Sequence, residues 1–190
     1  SLHRINVALK EGNYDLTRQL FSSAVKKYPD DMEIYSKCFD FLYASNNVKN
    51  ITRYSNTYLE FLIRSHRNSL LAAAYQRTLK LDKSYVPRSP HTRHILAKVY
   101  FDKANFKAVL KLLNGMHKQH LEYPNIGQAY ELLADSVEHI PTMKAKAAQC
   151  RTLAERLKQH HANTTEDGFT NSSTESVDDD SKPTIQFTTQ

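Results

Sequence analysis

The feature that most restricts this chain is a turn that returns at a fixed interval. Gly12-Asn13-Tyr14 separates two apolar patterns of helical period, and Asn46-Asn47-Val48 does the same 34 residues later. A third turn, Ala104-Asn105-Phe106, is answered after another 34 residues by Glu138-His139-Ile140. Around each turn the apolar residues recur at spacings of three and four, which sets them on one face of a helix. Ile5 and Leu9 precede the first turn, and Leu16, Leu20, Phe21, Ala24 and Tyr28 follow it. Tyr35, Cys38, Phe39 and Leu42 lead into the second; Ile51, Tyr54, Tyr58 and Phe61 lead out. The third joins Ile95, Leu96, Val99 and Tyr100 to Val109, Leu110, Leu113 and Met116. The fourth joins Ala129, Tyr130, Leu133, Ala134 and Val137 to Met143, Ala147, Cys150, Ala154 and Leu157. One such hairpin cannot bury its apolar face alone, and a fixed period of this size marks hairpins that stack. The expected fold class is all-α, a stack of antiparallel helix hairpins.

Two segments depart from the period. Residues 62–88 contain their own helical run, SLLAAAYQRTLKL, and then a linker through Pro87 to Pro90, so an irregular or additional helix is expected there. Ser89-Pro90 reads as a helix start, a capping side chain followed by proline in the first turn. From 162 onward the pattern ends: 11 of 29 residues are Ser or Thr, and six acids face one lysine. Apolar residues are too sparse there to offset the entropy of ordering, so the chain divides into a helical domain, 1–161, and a disordered acidic tail, 162–190. With only four glycines in 190 residues, the many turns of an all-β fold have little support.

The first hairpin resembles a tetratricopeptide repeat (TPR). Gly12, Tyr14, Phe21, Ala24 and Pro29 match that family's turn, aromatic, small and closing positions, with Thr17 where alanine is usual. Ala97, Tyr100, Phe106 and Met116 match more loosely, and the resemblance spans about residues 1–158. It implies a right-handed superhelix whose first helices line a concave groove that binds an extended peptide or a partner's helix. By that match the groove positions are Asn6 and Lys10, then Lys37, Asp40 and Tyr43, then His91, His94, Lys98 and Phe101, with Glu131, Asp135 and Glu138 in the last hairpin. Asn6 fits the family's clamp for a terminal carboxylate. Leu2, Lys37, His91 and Ile95 fill the other clamp positions, so a charged or amphipathic peptide is the expected ligand rather than a chaperone tail.

Catalytic motifs do not stand out. The chain has no Gly-rich phosphate loop, nucleophile elbow or recognisable carboxylate pair, and no cofactor is implied. The expectation is a non-catalytic interaction module, and two other readings compete with it. The first is a basic belt over 64–107, formed by Arg64, Arg67, Arg77, Lys80, Lys83, Arg88, Arg93, Lys98, Lys103 and Lys107 against two acids. It could hold nucleic acid phosphate, an anionic lipid surface or the chain's own acidic tail; the plain alternative is a solvated helix face. The second is a histidine set. His91 and His94 begin one helix and His117 and His120 end the next, so an antiparallel hairpin could gather four imidazoles for a divalent metal. Surface histidines at helix ends are the plain alternative.

The two cysteines, Cys38 and Cys150, form no CxxC pattern and read as buried thiols. The longest apolar run, LLAAAY, is too short to span a bilayer, and no signal peptide opens the chain. A cytoplasmic setting is expected. The opening Ser also suits a soluble fragment of a longer, membrane-anchored protein. In the tail, SSTESVDDD suits acid-directed kinases and TIQFTTQ has β-propensity.

Overall fold

The structure is a computed structural model that describes residues 2–166, and all regular structure among them is helical, with no strand. The chain divides into two compact units between Thr92 and Arg93.

The first unit holds α1 (Leu2–Lys10), α2 (Tyr14–Lys27), α3 (Met32–Ala44), α4 (Val48–Arg64) and α5 (Leu71–Leu81), with a 3-10 turn at Asn68–Leu70. Each helix packs on the next. Its core is aromatic: Tyr35 stacks on Phe61 at 3.9 Å between centroids, and Phe39 meets Tyr58 at 4.9 Å. Phe21 and Ala24 of α2 are buried as the spacing predicts, whereas Leu16 and Tyr28 both remain 38% exposed. Thr17, the departure from alanine, is fully buried because its hydroxyl donates to the Asn13 carbonyl at 2.8 Å.

The recurring turn has one construction. Gly12, Asn46 and Ala104 all take left-handed backbone, with φ of 68°, 54° and 55°. The next residue is asparagine each time. Asn13, Asn47 and Asn105 turn their side-chain carbonyls onto the backbone N–H of Leu16, Asn50 and Ala108, at 3.1, 3.1 and 3.2 Å. The left-handed residue ends one helix, and the asparagine satisfies a donor that the next helix would otherwise leave open.

The break in the period is α5, an additional helix packed on α4. A buried hydroxyl pair, Ser55 with Thr78 at 2.7 Å, joins the two. The linker behind it is pinned. Asn56 accepts from the Tyr85 hydroxyl at 2.8 Å and the Arg88 backbone at 3.0 Å, while Tyr75 donates to the Tyr85 carbonyl at 3.1 Å. Ser89 then caps α6 (Pro90–Asp102), accepting from the Thr92 N–H at 3.3 Å.

The second unit continues from within α6 to α7 (Phe106–Leu113), α8 (Met116–Gln119), α9 (Ile126–Glu138), a 3-10 segment at Pro141–Lys146 and α10 (Ala147–Glu166). Helix α9 is its centre, packed against α7 and α10 with Ile126, Ala129, Tyr130, Leu133, Ala134 and Val137 buried. Two expectations need correction. The helix expected to run through Met116 breaks at Asn114-Gly115, where Asn114 is extended and Gly115 has φ 73°. The fourth turn does not repeat the others: His139 stays right-handed, Ile140 is extended, and a 3-10 segment precedes α10.

Helix α10 runs five residues past the expected boundary at 161. The rest of the acidic tail, with its SSTESVDDD and TIQFTTQ signals, lies outside the described residues. Among the described residues no helix is long and apolar enough to cross a membrane.

Candidate functional site

In the first unit, three expected groove positions come together. Asn6 from α1 and Lys37 and Asp40 from α3 line one open cleft of about 930 Å³. Leu9, Tyr14 and Phe41 give the cleft an apolar wall. Tyr14 is 65% exposed and stacks on Phe41 at 6.2 Å between centroids. The cleft charges are already balanced, since Lys37 pairs with Glu33 at 3.0 Å and Asp40 with Arg77 at 2.7 Å. Lys10 is exposed but does not line the cleft, and neither does Tyr43, which is half-buried with the Arg77 guanidinium 4.5 Å above its ring.

The groove positions of the second unit are placed differently. His94 is buried, not outward: its Nδ1 lies 2.9 Å from the Tyr123 hydroxyl. Lys98 is exposed. Phe101 is half-buried, edge-on to Phe106 at 5.5 Å, and Phe106 in turn stacks on His139 at 4.4 Å. The acidic end is not an open groove either. Arg151 of α10 binds Asp135 at 3.0 Å and Glu138 at 2.7 Å, and Lys158 binds Glu131. The hydrogen bond from Arg151 holds the Glu138 carboxyl below its usual range.

Four of the ten belt cations are committed within the protein. The Arg64 guanidinium donates to the Pro29 carbonyl at 3.0 Å. Arg77 lies on Asp40 and over two rings, and Arg88 forks onto both Glu60 oxygens at 3.1 Å. Arg93 is buried, with Nε donating to the Leu112 carbonyl at 2.6 Å, so it is no part of a solvent-facing belt. Arg67, Lys80, Lys83, Lys98, Lys103 and Lys107 are exposed. Of the expected basic belt, the arginines at 64, 77 and 88 are thus drawn into internal contacts and Arg93 is buried, while the remaining six cations face solvent.

The four histidines do not gather. His94 turns to Tyr123, His117 Nδ1 to the Tyr130 hydroxyl, and His120 Nδ1 lies 3.5 Å from a Glu122 oxygen, while His91 is exposed. The break at Gly115 moves His117 and His120 off the helix expected to carry them. Among the described residues no three His, Cys, Asp or Glu side chains are placed to hold a metal ion. Both cysteines are free and buried. Burial pushes the Cys38 thiol up to about 12, and burial also raises Cys150.

Sequence reasoning did not assign Leu9, Tyr14 and Phe41 to the cleft. Tyr14 carried no signal of exposure, because it lies seven residues before Phe21 and so shares its face; only its place at the first residue of α2, beside the turn, leaves it open. Phe41 carried none either, since it is half-buried between the exposed Asp40 and the buried Leu42 on α3. No known protein family, characterised protein or solved structure matches the chain.

Proposed function

We propose that this chain is a non-catalytic protein-interaction module of TPR-like architecture, a right-handed stack of helix hairpins that holds an extended peptide or a partner's helix. The observation that carries the reading is the convergence of Asn6, Lys37 and Asp40 on one open cleft with an apolar wall. An amide among two cations, Arg18 and Lys37, and two anions, Asp15 and Asp40, offers hydrogen bonds and charge selection, and Leu9, Tyr14 and Phe41 offer the apolar area that gives affinity. Clefts that combine an apolar wall with a few placed polar groups are the usual form of binding sites. The pairing of Lys37 with Glu33 and of Asp40 with Arg77 favours a ligand carrying both signs of charge, which can exchange with these partners without stranding either.

Selection from a random peptide library on the immobilised chain tests the reading. Wild type is expected to enrich a motif with an apolar residue flanked by charge. Asn6→Ala, Lys37→Glu and Tyr14→Ala should each weaken the selected peptide by about tenfold, the cost of one good contact. Enrichment that is absent, or that survives all three substitutions, removes the cleft as the binding site.

A further inference from the structure

A second concavity adjoins the first cleft, sharing Arg18, Phe41 and Leu42 with it, and lies between α2 and the pair α3 and α4 with a volume of about 230 Å³. Its interior is apolar. Phe21 of α2 and Cys38 of α3 are both buried beneath it, and Val25, Phe41 and Leu42 complete the walls. Along its α2 edge run Arg18, Ser22 and Lys26, spaced four apart and therefore stacked one turn above another on the same face. Two cations and a hydroxyl thus overhang an apolar pocket, and no acid is among its lining residues. The Arg18 guanidinium has one weak partner, Asp15 at 3.6 Å, whose side chain is 88% exposed. The far side adds the Thr57 hydroxyl and the Tyr54 ring. The Tyr54 hydroxyl is already occupied, donating to the Tyr35 carbonyl at 3.2 Å.

We propose that this pocket binds a medium-chain alkyl carboxylate, with the chain among Phe21, Val25, Cys38 and Phe41 and the carboxylate on Lys26 and Arg18. Exposed cations over an apolar hollow match a ligand that is anionic at one end and apolar at the other. The hollow limits chain length. At about 30 Å³ per water-sized group it accommodates roughly eight carbons. The Cys38 thiol, buried among aromatic rings, acts there as one more apolar wall.

Calorimetry on the full chain with hexanoate, octanoate, decanoate and dodecanoate, each below its micellar range, tests the proposal. Affinity should rise about fourfold per methylene and level off near eight carbons, where the pocket is full. Lys26→Glu should weaken octanoate at least tenfold while leaving the weaker binding of 1-octanol within about twofold. Val25→Phe, which fills the hollow from the wall, should abolish both; its circular dichroism and unfolding midpoint report whether the fold is kept. Wild-type chain that binds octanol as tightly as octanoate overturns the proposal, because that is how a pocket for a partner's apolar side chain behaves. Affinity without dependence on chain length, or octanoate binding unchanged in Lys26→Glu, overturns it as well.

Discussion

The Arg77 guanidinium lies over two rings, 4.8 Å from the centre of Phe39 and 4.5 Å from that of Tyr43, while one of its nitrogens donates to Asp40 at 2.7 Å. A planar cation can stack and donate at once, which an ammonium cannot do. Arg77→Ala is expected to lower stability by about 1–2 kcal/mol, combining two partly exposed cation–π contacts with a surface ion pair. Arg77→Lys should recover less than half of that. Urea unfolding of both variants, with Asp40→Asn closing a double-mutant cycle, measures the shares; an unchanged midpoint for Arg77→Ala contradicts the assignment. Cys38 makes a second residue-scale prediction. A thiol raised to about 12 is ionised in only about one molecule in ten thousand at pH 8. Maleimide should label Cys38 and Cys150 at least a hundredfold more slowly in buffer than in denaturing urea, and fast native labelling of either would refute their burial. His117 gives the third. Burial, aided by the neighbouring Lys118 charge, lowers its pKa below the ordinary value of 6.5. The unfolded chain therefore takes up this proton at a pH where the folded chain does not. Stability is undiminished above about pH 6.5 and falls as the solution is acidified toward the lower folded value. The decline in urea midpoint from pH 7.5 to 5.5 should be shallower in His117→Gln, and equal slopes would exclude His117 as its source.

At the scale of the element, the left-handed residue followed by a capping asparagine defines three of the hairpin turns. Glycine and asparagine reach that conformation at little cost, but Ala104 holds it with a Cβ, which costs about 1–2 kcal/mol. Ala104→Gly relieves that strain and gives back part of the gain as unfolded-state entropy. The net expectation is a stabilisation of about 0.5–1 kcal/mol, read as a higher urea midpoint; a lower midpoint would mean the methyl group packs usefully. These turns were legible because turn chemistry and helix capping are local, settled within four or five residues. The additional helix α5 and the capped start of α6 were legible for the same reason. The break between α7 and α8 carried a local signal too, the Asn114-Gly115 pair, but the apolar spacing of Val109, Leu113 and Met116 runs straight through it and hides it. Burial of Arg93 and His94 had no local signal. Their partners, the Leu112 carbonyl and the Tyr123 hydroxyl, lie 19 and 29 residues away. A periodic pattern shows which face is apolar, yet it cannot show that a polar side chain will find an acceptor from another helix. The cleft was half legible: Asn6, Lys37 and Asp40 are positions the resemblance to the repeat implied, and Phe41 depends on packing.

For the whole molecule, the division between Thr92 and Arg93 is expected to have an energetic counterpart, because each unit carries its own buried core. The first is built on Tyr35, Phe39, Tyr58 and Phe61, the second on α9 and the helices packed against it. Gly127 offers a way to disturb the second core alone. It lies in α9 where α10 passes closely: a Cβ there would stand 3.1 Å from the Ala154 carbonyl oxygen and 3.2 Å from the Lys158 backbone nitrogen, with Lys158 Cγ nearer still. Alanine would gain about 1 kcal/mol of helix propensity. The obstruction includes α10 backbone, however, which no change of rotamer relieves, and overpacking of this kind costs typically 1–3 kcal/mol. Gly127→Ala is expected to be a net loss of about 1–2 kcal/mol, a case in which the better helix former makes the poorer protein. Because each unit holds its own buried core, that loss should stay near its origin. Native-state hydrogen exchange on the variant should show protection falling about tenfold in α9 and α10. The slowest amides of α4, around Leu59 and Leu62, should change by less than about twofold. An equal fall in both places would mean that the chain opens as a single cooperative body, and the two units would then be a feature of its contacts without being one of its energetics.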